Sequence, residues 1–323
     1  MRSFNATPRF WVAASLIALI LLIAIFGPLL VRTDPNDTVG GLYQAPSGFG
    51  PLLLGADNEG QSVVANLVYG TRTSLIVGLL AGTLATIIGL LVGLIAGFRG
   101  GLLDDILASV TNVFLVIPGI VVVILFSIAL NNRSVWSLAV VIGITSWPWL
   151  ARAVRAQASS VRTREHIDVA RMSGARFWSI LGWDVLPYLL SYVVMAFVLQ
   201  VSSAILYEAT LSMLGLGPSG TTSLGIMLYW TLAWGAVRQG AYWAFLPPTL
   251  MLTMIAFSLL LLQSSLDEVF NPRLRRGRSR PKKATNGAGP TEEPEVETSL
   301  EAAPTPVGTT GMLEQPVSTE VRR

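Results

Sequence analysis

Residues 73–98, "TSLIVGLLAGTLATIIGLLVGLIAGF", contain no charged side chain and are long enough to cross the hydrocarbon core of a bilayer as one helix. Small residues recur along this stretch, mostly at four-residue spacing: Gly78, Gly82, Gly89, Gly93 and Gly97. Because lipid is as apolar as a neighbouring helix, such small residues stabilise helix pairs by letting two backbones approach closely. We expect this approach to occur inside the chain rather than between two copies of it.

The composition of the whole chain is that of a membrane protein. Of its 323 residues, 52% are hydrophobic and only 13% are charged, against about 25% charged in a typical soluble domain. Cysteine is absent and His166 is the single histidine, which disfavours disulfides, thiolate or histidine metal sites and proton relays. We therefore predict no metal and no cofactor. The basic pI of about 9.4 comes from arginines beside apolar runs, which favours membrane topology over nucleic-acid binding.

The apolar runs predict an all-α polytopic membrane protein with six transmembrane helices. The predicted spans are residues 10–31, 73–98, 103–130, 134–152, 186–208 and 243–266. A cleaved signal peptide is the alternative for the first span, and it is disfavoured because no A-x-A site follows the long apolar run. Pro118 and Pro148 lie inside the third and fourth spans and should kink them.

Arginine and lysine lie mainly on one side of these spans. If the N-terminus is inside, the cytoplasmic side receives Arg2, Arg9, Arg99, Arg152, Arg155, Arg162, Arg164, Arg171, Arg176 and the run from Arg273 to Lys283. The outer side keeps only Arg32, Arg72, Arg133 and Arg238. The positive-inside rule then places both termini in the cytoplasm of a multi-pass protein of the inner (plasma) membrane.

We divide the chain into an N-terminal span with an extracytoplasmic segment (1–72), a transmembrane core (73–276) that contains a cytoplasmic loop (156–185), and a tail (277–323). In the first segment, "QSVVANLVYG" places its apolar residues on one helical face, which predicts a short helix at the membrane surface. The tail is rich in Pro, Thr, Glu, Gly and Ala, so it cannot bury enough apolar surface to fold and is predicted to be disordered.

The loop contains the most polar stretch of the apolar region, "REHIDVARMSGARFWSILGWDVLPY". Its pattern predicts a short helix, a break at Gly174, and a second helix that ends at Pro187. Glycine suits such a turn either because φ is positive or because a partner surface approaches closely. By pattern alone, a solvated loop whose arginines only fix topology is an equal alternative.

The same stretch resembles the EAA loop of ABC-importer permeases, through Glu165, Ala170, Gly174, Leu186 and Pro187 at the expected spacing. Asp168 and Asp184 depart from the family pattern, in which alanine and often histidine stand at these positions. The resemblance implies that the loop seats in a groove of an ATP-binding subunit. The residues predicted to make this contact are Glu165, Ile167, Asp168, Ala170, Gly174, Ala175, Phe177 and Trp178.

A second resemblance covers "PLLLGADNEGQSVVANLVYGTRTSLIVGLLAG", which is similar to the segment after the first span of peptide/opine/nickel importer permeases. Gln61 and Ser62 replace an Arg-Asp pair there. With "GLIAGFRGGLLDDIL", "EATLSMLGLG" and "NPRLRR", the likeness spans residues 10–276 and fits the second of two paired permeases. It implies a type I ABC-importer permease architecture. The implied partners are a homologous permease, two ATP-binding cassette subunits, an extracytoplasmic solute-binding protein and membrane lipid, without nucleic acid.

Hydrolysis of ATP must fall to the partners, because the chain contains no GxxxxGK[ST] motif. We predict a non-enzymatic pore subunit for dipeptides and oligopeptides, with oligosaccharides or nickel as alternative solutes. Glu208, Trp230 and Trp234 are candidates for the pore or outer gate, although a structural role for Glu208 and a membrane-interface role for the tryptophans are favoured. A stand-alone secondary transporter or channel is a remote alternative, because the spans lack mid-membrane ionisable residues. A membrane enzyme is a third alternative, and it is disfavoured because the sequence shows no nucleophile and no set of acid–base residues with catalytic spacing.

Overall fold

The computed structural model describes residues 8–129 and 133–270, and within these ranges the only β-pairing is two isolated bridges in the segment after the first helix. The helices are α1 (Pro8–Leu30), α2 (Val63–Arg99), α3 (Gly101–Val116), α4 (Gly119–Ala129), α5 (Val135–Ser146), α6 (Pro148–Arg162), α7 (Glu165–Met172), α8 (Phe177–Ser179), α9 (Leu186–Met213), α10 (Leu224–Ala233) and α11 (Tyr242–Phe270). A π-helical segment, Ile180–Val185, joins α8 to α9. The predicted tail, the basic run from Arg273 and "NPRLRR" lie outside the described residues.

Four helical stretches are long and apolar enough to cross a membrane: Pro8–Leu30, Val63–Arg99, Phe177–Met213 and Tyr242–Glu268. Two further pairs qualify if each is one broken span, α3 with α4 and α5 with α6, so the described residues provide up to six spans. This agrees with the predicted number. The all-α polytopic fold is therefore confirmed.

Both predicted proline bends are present, and the one at Pro118 is sharp enough to break the span into two helices. The axes of α3 and α4 differ by 84°, because Ile117 adopts the extended backbone that a following proline favours (ψ 127°). The axes of α5 and α6 differ by 42°. There Pro148 is the first residue of α6, a position at which its missing N–H would have no partner in the helix.

Helix α2 is the central helix, and it packs against α1, α5, α6, α9 and α10. Its glycines stand where neighbouring backbones come closest: an added Cβ would lie 2.7 Å from Val201 Cγ2 at Gly82 and 2.6 Å from the Ala151 carbonyl oxygen at Gly93. The predicted close packing within the chain is confirmed. With 37 residues and a rise of 1.5 Å per residue, α2 is about 55 Å long.

The predicted surface helix in "QSVVANLVYG" is wrong, because these residues form the first turns of α2. Ser62 caps α2 by accepting a hydrogen bond from the Ala65 N–H, and no helix breaker separates this start from the apolar span. The apolar side chains that suggested a surface face are instead directed into the protein. Val63 is buried, and Val68 fills the space left by Gly27 of α1.

The fifth span also begins earlier than predicted. The helical path starts at Phe177, passes through the π-helical segment and continues through Pro187 to Met213, so the predicted helix end at Pro187 is wrong. The Leu186 N–H donates to the Leu181 carbonyl, five residues back. Because these wider turns already depart from the α-helical hydrogen-bond ladder, the proline disrupts little.

Candidate functional site

The loop between α6 and α9 is a short helix closed by a glycine turn, as the sequence predicts. After Met172 the chain makes the two hydrogen bonds of a Schellman motif, from Gly174 N–H to the Arg171 carbonyl (3.0 Å) and from Ala175 N–H to the Ala170 carbonyl (3.1 Å). Gly174 has φ +79°, which is the first of the two alternatives given for this glycine. No atom of the described residues lies within 4 Å of an added Cβ there, so backbone conformation alone accounts for glycine within this chain.

One face of α7 packs into the protein. Ile167 is completely buried among apolar residues of α2, α6 and the π-helical segment, and Ala170 packs against the same cluster. The Arg171 guanidinium lies over the Phe98 ring at the end of α2, 5.3 Å from its centroid. This face therefore fixes α7 to the end of the central helix.

The opposite face of α7 is exposed and has an apolar centre. Val169 and Met172 are 60% and 81% exposed, and with Glu165 and Asp168 they occupy positions i, i+3, i+4 and i+7, which share one side of a helix. The Asp168–Arg171 ion pair, 3.5 Å long and exposed, adds little stability. We call Glu165, Asp168, Val169 and Met172 the α7 face.

The structure divides the predicted contact residues into two groups. Glu165, Asp168, Gly174 and Trp178 (65% exposed) are accessible. Ile167, Phe177, Ala170 and Ala175 pack against the protein's own core, and the Phe177 ring lies 5.5 Å from that of Phe98. In this conformation Ile167 is completely buried and Phe177 is half-buried, and both pack the loop against the protein's own core. Their contact with an ATP-binding subunit stays a prediction.

Val169 and Met172 were missed by the sequence reasoning. The signal was their helical spacing from Glu165, which places them together on one side. Ile167 and Ala170 form an equally apolar row on the other side, and the sequence does not say which row packs inward.

The start of α7 is held against α9. Arg164 lies over the Tyr188 ring at 5.1 Å, and the His166 ring lies 5.1 Å from the same ring. The loop is thus connected to two long helices, to α2 through Phe98 and to α9 through Tyr188.

Glu208 lies in a buried polar cluster at the other end of the protein and lines none of the described cavities. Its side chain is completely buried, and it accepts hydrogen bonds from Ser74 Oγ (2.8 Å) and Ser212 Oγ (2.7 Å). The Ser74 hydroxyl oxygen also accepts from the Leu224 N–H at the start of α10 (3.3 Å). Glu208 therefore joins α2, α9 and α10, which is the structural role, and its assignment to a pore or outer gate is not supported in this conformation.

A cavity of about 320 Å³ lies between α10, the segment before α2 and the loop that follows α9. We call it the α10 cavity. Trp230 lines this cavity and is 39% exposed, whereas Trp234 is 59% exposed and does not line it. The three predicted gate residues therefore lie in different places: Glu208 in the buried polar cluster, Trp230 at the α10 cavity and Trp234 outside it.

Asp57 organises the wall of the α10 cavity. Its Oδ1 accepts from the backbone N–H groups of Glu59 and Gln61, both at 2.9 Å, and its Oδ2 accepts from Asn66 Nδ2 at 3.0 Å. Burial raises the pKa of Asp57, although these hydrogen bonds act in the opposite direction.

A second cavity, of about 410 Å³, lies where the two broken spans meet α9, and we call it the break cavity. Polar side chains from α5 and α9 line it among apolar ones: Thr145, Gln200, Ser203 and Tyr207. Gln200 Nε2 donates to the Ser146 carbonyl at the break between α5 and α6 (2.9 Å). Within residues 8–129 and 133–270, no three acidic, histidine or cysteine side chains cluster in a way that could hold a metal ion.

Comparison with known proteins gives consistent matches. The family described as "Binding-protein-dependent transport system inner membrane component" matches residues 89–276. The chain is 28% identical over 266 residues to the dipeptide transport system permease protein DppC of Haemophilus influenzae, covering 80% of this chain and 89% of that protein. It is 30% identical over 224 residues to DppC of Bacillus subtilis (69% of each), and 28% identical over 280 residues to the oligopeptide transport system permease protein OppC of that organism (85% and 89%).

A solved structure, the inward-facing MetNI methionine ABC transporter, matches with a TM-score of 0.50 and 21% identity, covering 67% of this chain and 97% of that chain. At this identity the match shows a shared fold.

Proposed function

Because this chain belongs to the family of binding-protein-dependent transport system inner membrane components, we propose that it forms half of the translocation pore of an ATP-driven importer of dipeptides and oligopeptides. It is a multi-pass inner-membrane permease subunit, and the family implies ATPase and binding-protein partners. The peptide substrate is transferred from the relatives, which are dipeptide and oligopeptide permeases. The complex we propose contains one homologous permease, two ATPase subunits and one extracytoplasmic binding protein.

The α7 face is the observation that carries this proposal. A loop that only fixed topology would need exposed arginines, yet this loop buries Ile167 completely while leaving Met172 81% exposed beside Val169. Exposed apolar side chains rimmed by acidic ones are typical of an interaction surface. We propose that this face, with Trp178 beside it, seats on the ATPase subunit.

The connections of the loop suggest how force reaches the pore. When the two ATPase subunits close on ATP, they would draw the α7 faces of the paired permeases together. Phe98 under Arg171 and Tyr188 under Arg164 would pass this movement to α2 and α9 as rigid bodies. The far end of α2 holds α10 through Ser74, so the same movement reaches the opposite membrane face.

The break cavity is the part of the chain that we assign to the translocation path. Helices broken at membrane depth are tolerated where they are covered by protein or line a water-filled space. Gln200 and Tyr207 of α9 give this space polar groups able to contact a peptide backbone. The second permease would close the open side of the cavity.

The arginine distribution supports an orientation in which the α7 end faces the cytoplasm and the α10 end faces outward. The N-terminus would then be cytoplasmic, and the last span would return the C-terminus to the same side. The α7 face would meet the ATPase subunits, and the α10 cavity would meet the binding protein.

The test is uptake of labelled dialanine by proteoliposomes that contain both permeases and both ATPase subunits, with the binding protein added outside. We expect uptake to require ATP, the binding protein and every subunit, and to be inhibited by trialanine but not by maltose or nickel. Uptake driven by an ion gradient through this chain alone would refute the proposal. A complex that hydrolyses ATP at its full rate but transports no dialanine would refute the peptide assignment.

A further inference from the structure

The α10 cavity is lined by side chains of both charge signs. Asp57 and Glu59 come from the segment before α2, and Arg133 comes from the start of the segment that leads into α5. Side chains of opposite charge that line one cavity without an ion pair between them are expected to be matched by a ligand or by solvent. Among the described residues, the ion pairs include none of these three.

Of the two acidic residues that line the cavity, Asp57 is fully hydrogen-bonded within the protein, whereas Glu59 is free to bind a ligand. Both oxygens of Asp57 accept hydrogen bonds from its own segment and from Asn66. Glu59 is exposed, and in the part of the chain that the structure describes only its Oε2 accepts a hydrogen bond, from Gln61 Nε2 (2.9 Å). Glu59 is therefore the carboxylate that can bind a cation, with the charge of Asp57 behind it.

The basic side is also partly available. Arg133 Nη1 donates to the Gly215 carbonyl (2.9 Å), and among the described residues this is the only hydrogen bond of a guanidinium that has five N–H donors. Because a planar guanidinium suits a carboxylate, the remaining donors can bind one. The Gly215 contact holds the side chain at the cavity.

The rest of the wall is suited to a small polar molecule. Tyr229 and Trp230 line the cavity as an edge-to-face pair with ring centroids 5.0 Å apart. Two further lining residues, Tyr43 and Asn58, have a buried hydroxyl and a buried side-chain nitrogen that find no hydrogen-bond partner within residues 8–129 and 133–270. A volume of about 320 Å³ is at the lower end of the range of small-ligand pockets, about 300–1,000 Å³.

We propose that the α10 cavity is a receiving site for a short peptide, with the peptide's amino terminus bound at Glu59 and its carboxylate at Arg133. The inference rests on the proposed function, since it assigns where the imported solute first contacts this chain. Neutral sugars would use neither charge, and a metal ion would not use the arginine. The site therefore selects small zwitterions.

The native chain has no cysteine, so a single thiol can report occupancy. Thr221 lines the cavity and is exposed, and Ser47, exposed in the segment before α2, does not line it. Thr221→Cys is introduced into the membrane-embedded complex without the binding protein, and its labelling by a membrane-impermeant maleimide is followed with increasing dialanine. The labelling rate should fall by the factor 1 + [L]/Kd, where [L] is the dialanine concentration. This is about tenfold when dialanine exceeds its Kd about tenfold.

Blocked dialanines separate the two ends of the site. N-acetyl-dialanine and dialanine amide should each protect about tenfold more weakly than dialanine, since each lacks one charge-assisted contact. Ser47→Cys, the matched control, should be labelled equally with and without dialanine. Equal protection by dialanine and its doubly blocked form, or no protection, overturns the proposal.

Two variants assign the charges to the termini. In the Thr221→Cys background, Glu59→Gln should abolish the preference for a free amine and keep the preference for a free carboxylate. Arg133→Gln should do the reverse. Unchanged preferences in both variants overturn the assignment. Failure of these labelling results together with normal ATP-driven dialanine uptake would reject the receiving site and leave the proposed function intact, whereas lost uptake in the unmodified complex would reject the proposed function itself.

Discussion

Replacement of Gly174 tests whether the turn that closes α7 transmits coupling through its backbone conformation. At φ +79°, a non-glycine L-residue is strained by about 1–2 kcal/mol, and a β-branched one lies at the upper end because it rarely occupies this region. A strain of about 2 kcal/mol shifts the turn's local equilibrium about thirtyfold towards other conformations, and about 1 kcal/mol shifts it about fivefold. Gly174→Val should therefore couple less well than Gly174→Ala.

Asparagine distinguishes the two reasons for a glycine. It tolerates the left-handed region better than other non-glycine residues, and no atom of the described residues lies within 4 Å of an added Cβ. If conformation is what matters, Gly174→Asn should retain more coupling than Gly174→Ala. If a partner surface approaches the glycine closely, the larger asparagine should be worse than alanine.

The assay is ATP hydrolysis by the reconstituted complex, stimulated by solute-loaded binding protein, together with uptake and the amount of ATPase subunit retained. Gly182→Ala is the matched control, because Gly182 lies in the same loop, has no atoms near an added Cβ and is outside the positive-φ glycines. We expect stimulation in the order wild type, Asn, Ala, Val, with normal membrane insertion throughout. Wild-type stimulation in Gly174→Val would refute the coupling role of the turn.

Variants at four further positions test other parts of the structure. Met172→Ser should weaken retention of the ATPase subunit at least about tenfold without lowering thermal stability, since burying a methionine side chain contributes about 1.5–3 kcal/mol; unchanged retention would remove the α7 face from the interface. Gly93→Ala should lower the thermal unfolding temperature in detergent, because its Cβ would lie 2.6 Å from a backbone oxygen of α6 and overpacking costs about 1–3 kcal/mol; an effect no larger than that of Gly182→Ala would contradict the close contact. Glu208→Ala should destabilise the protein by about 1–3 kcal/mol, because two buried serine hydroxyls lose their acceptor, and Glu208→Gln should do less harm; a specific loss of uptake at normal stability would restore a gate role. A thiol at Ser173→Cys should be protected from an impermeant reagent outside intact cells, and labelling from outside would reverse the orientation.

Sequence reasoning succeeded where one residue type determines local geometry. Pro118 predicted a kink at the place where α3 ends and α4 begins, because proline cannot continue the hydrogen-bond ladder, although the 84° bend is sharper than predicted. Gly174 predicted a turn that requires either a positive φ or a close approach, and the positive φ is observed. The glycines of α2 predicted close packing. The first two predictions depend only on the chain's own backbone, and the third needs small side chains on α2 whichever helix packs against them.

The failures have a different cause, because they depended on which elements meet in space. Ile167 and Val169 are equally apolar, and only the position of Phe98 and its neighbours determines which one is buried. The structural role favoured for Glu208 agrees with the structure, but its partner could not be named from the sequence, because Ser74 stands 134 positions away. Helix α2 begins early because no helix-breaking residue follows Ser62. The sequence contains this signal, but we assigned these residues to the extracytoplasmic segment and not to the span.

The most direct test of the account is a photo-crosslink from the α7 face. Because the native chain has no cysteine, benzophenone maleimide can be attached to Met172→Cys alone and irradiated in the assembled complex. Ser47→Cys, which we place at the outer end, serves as the control. We expect a crosslink to the ATPase subunit from position 172, weakened when ATP is absent or the turn carries Gly174→Val, and none from position 47. A crosslink from position 172 only to lipid or to the binding protein would contradict it.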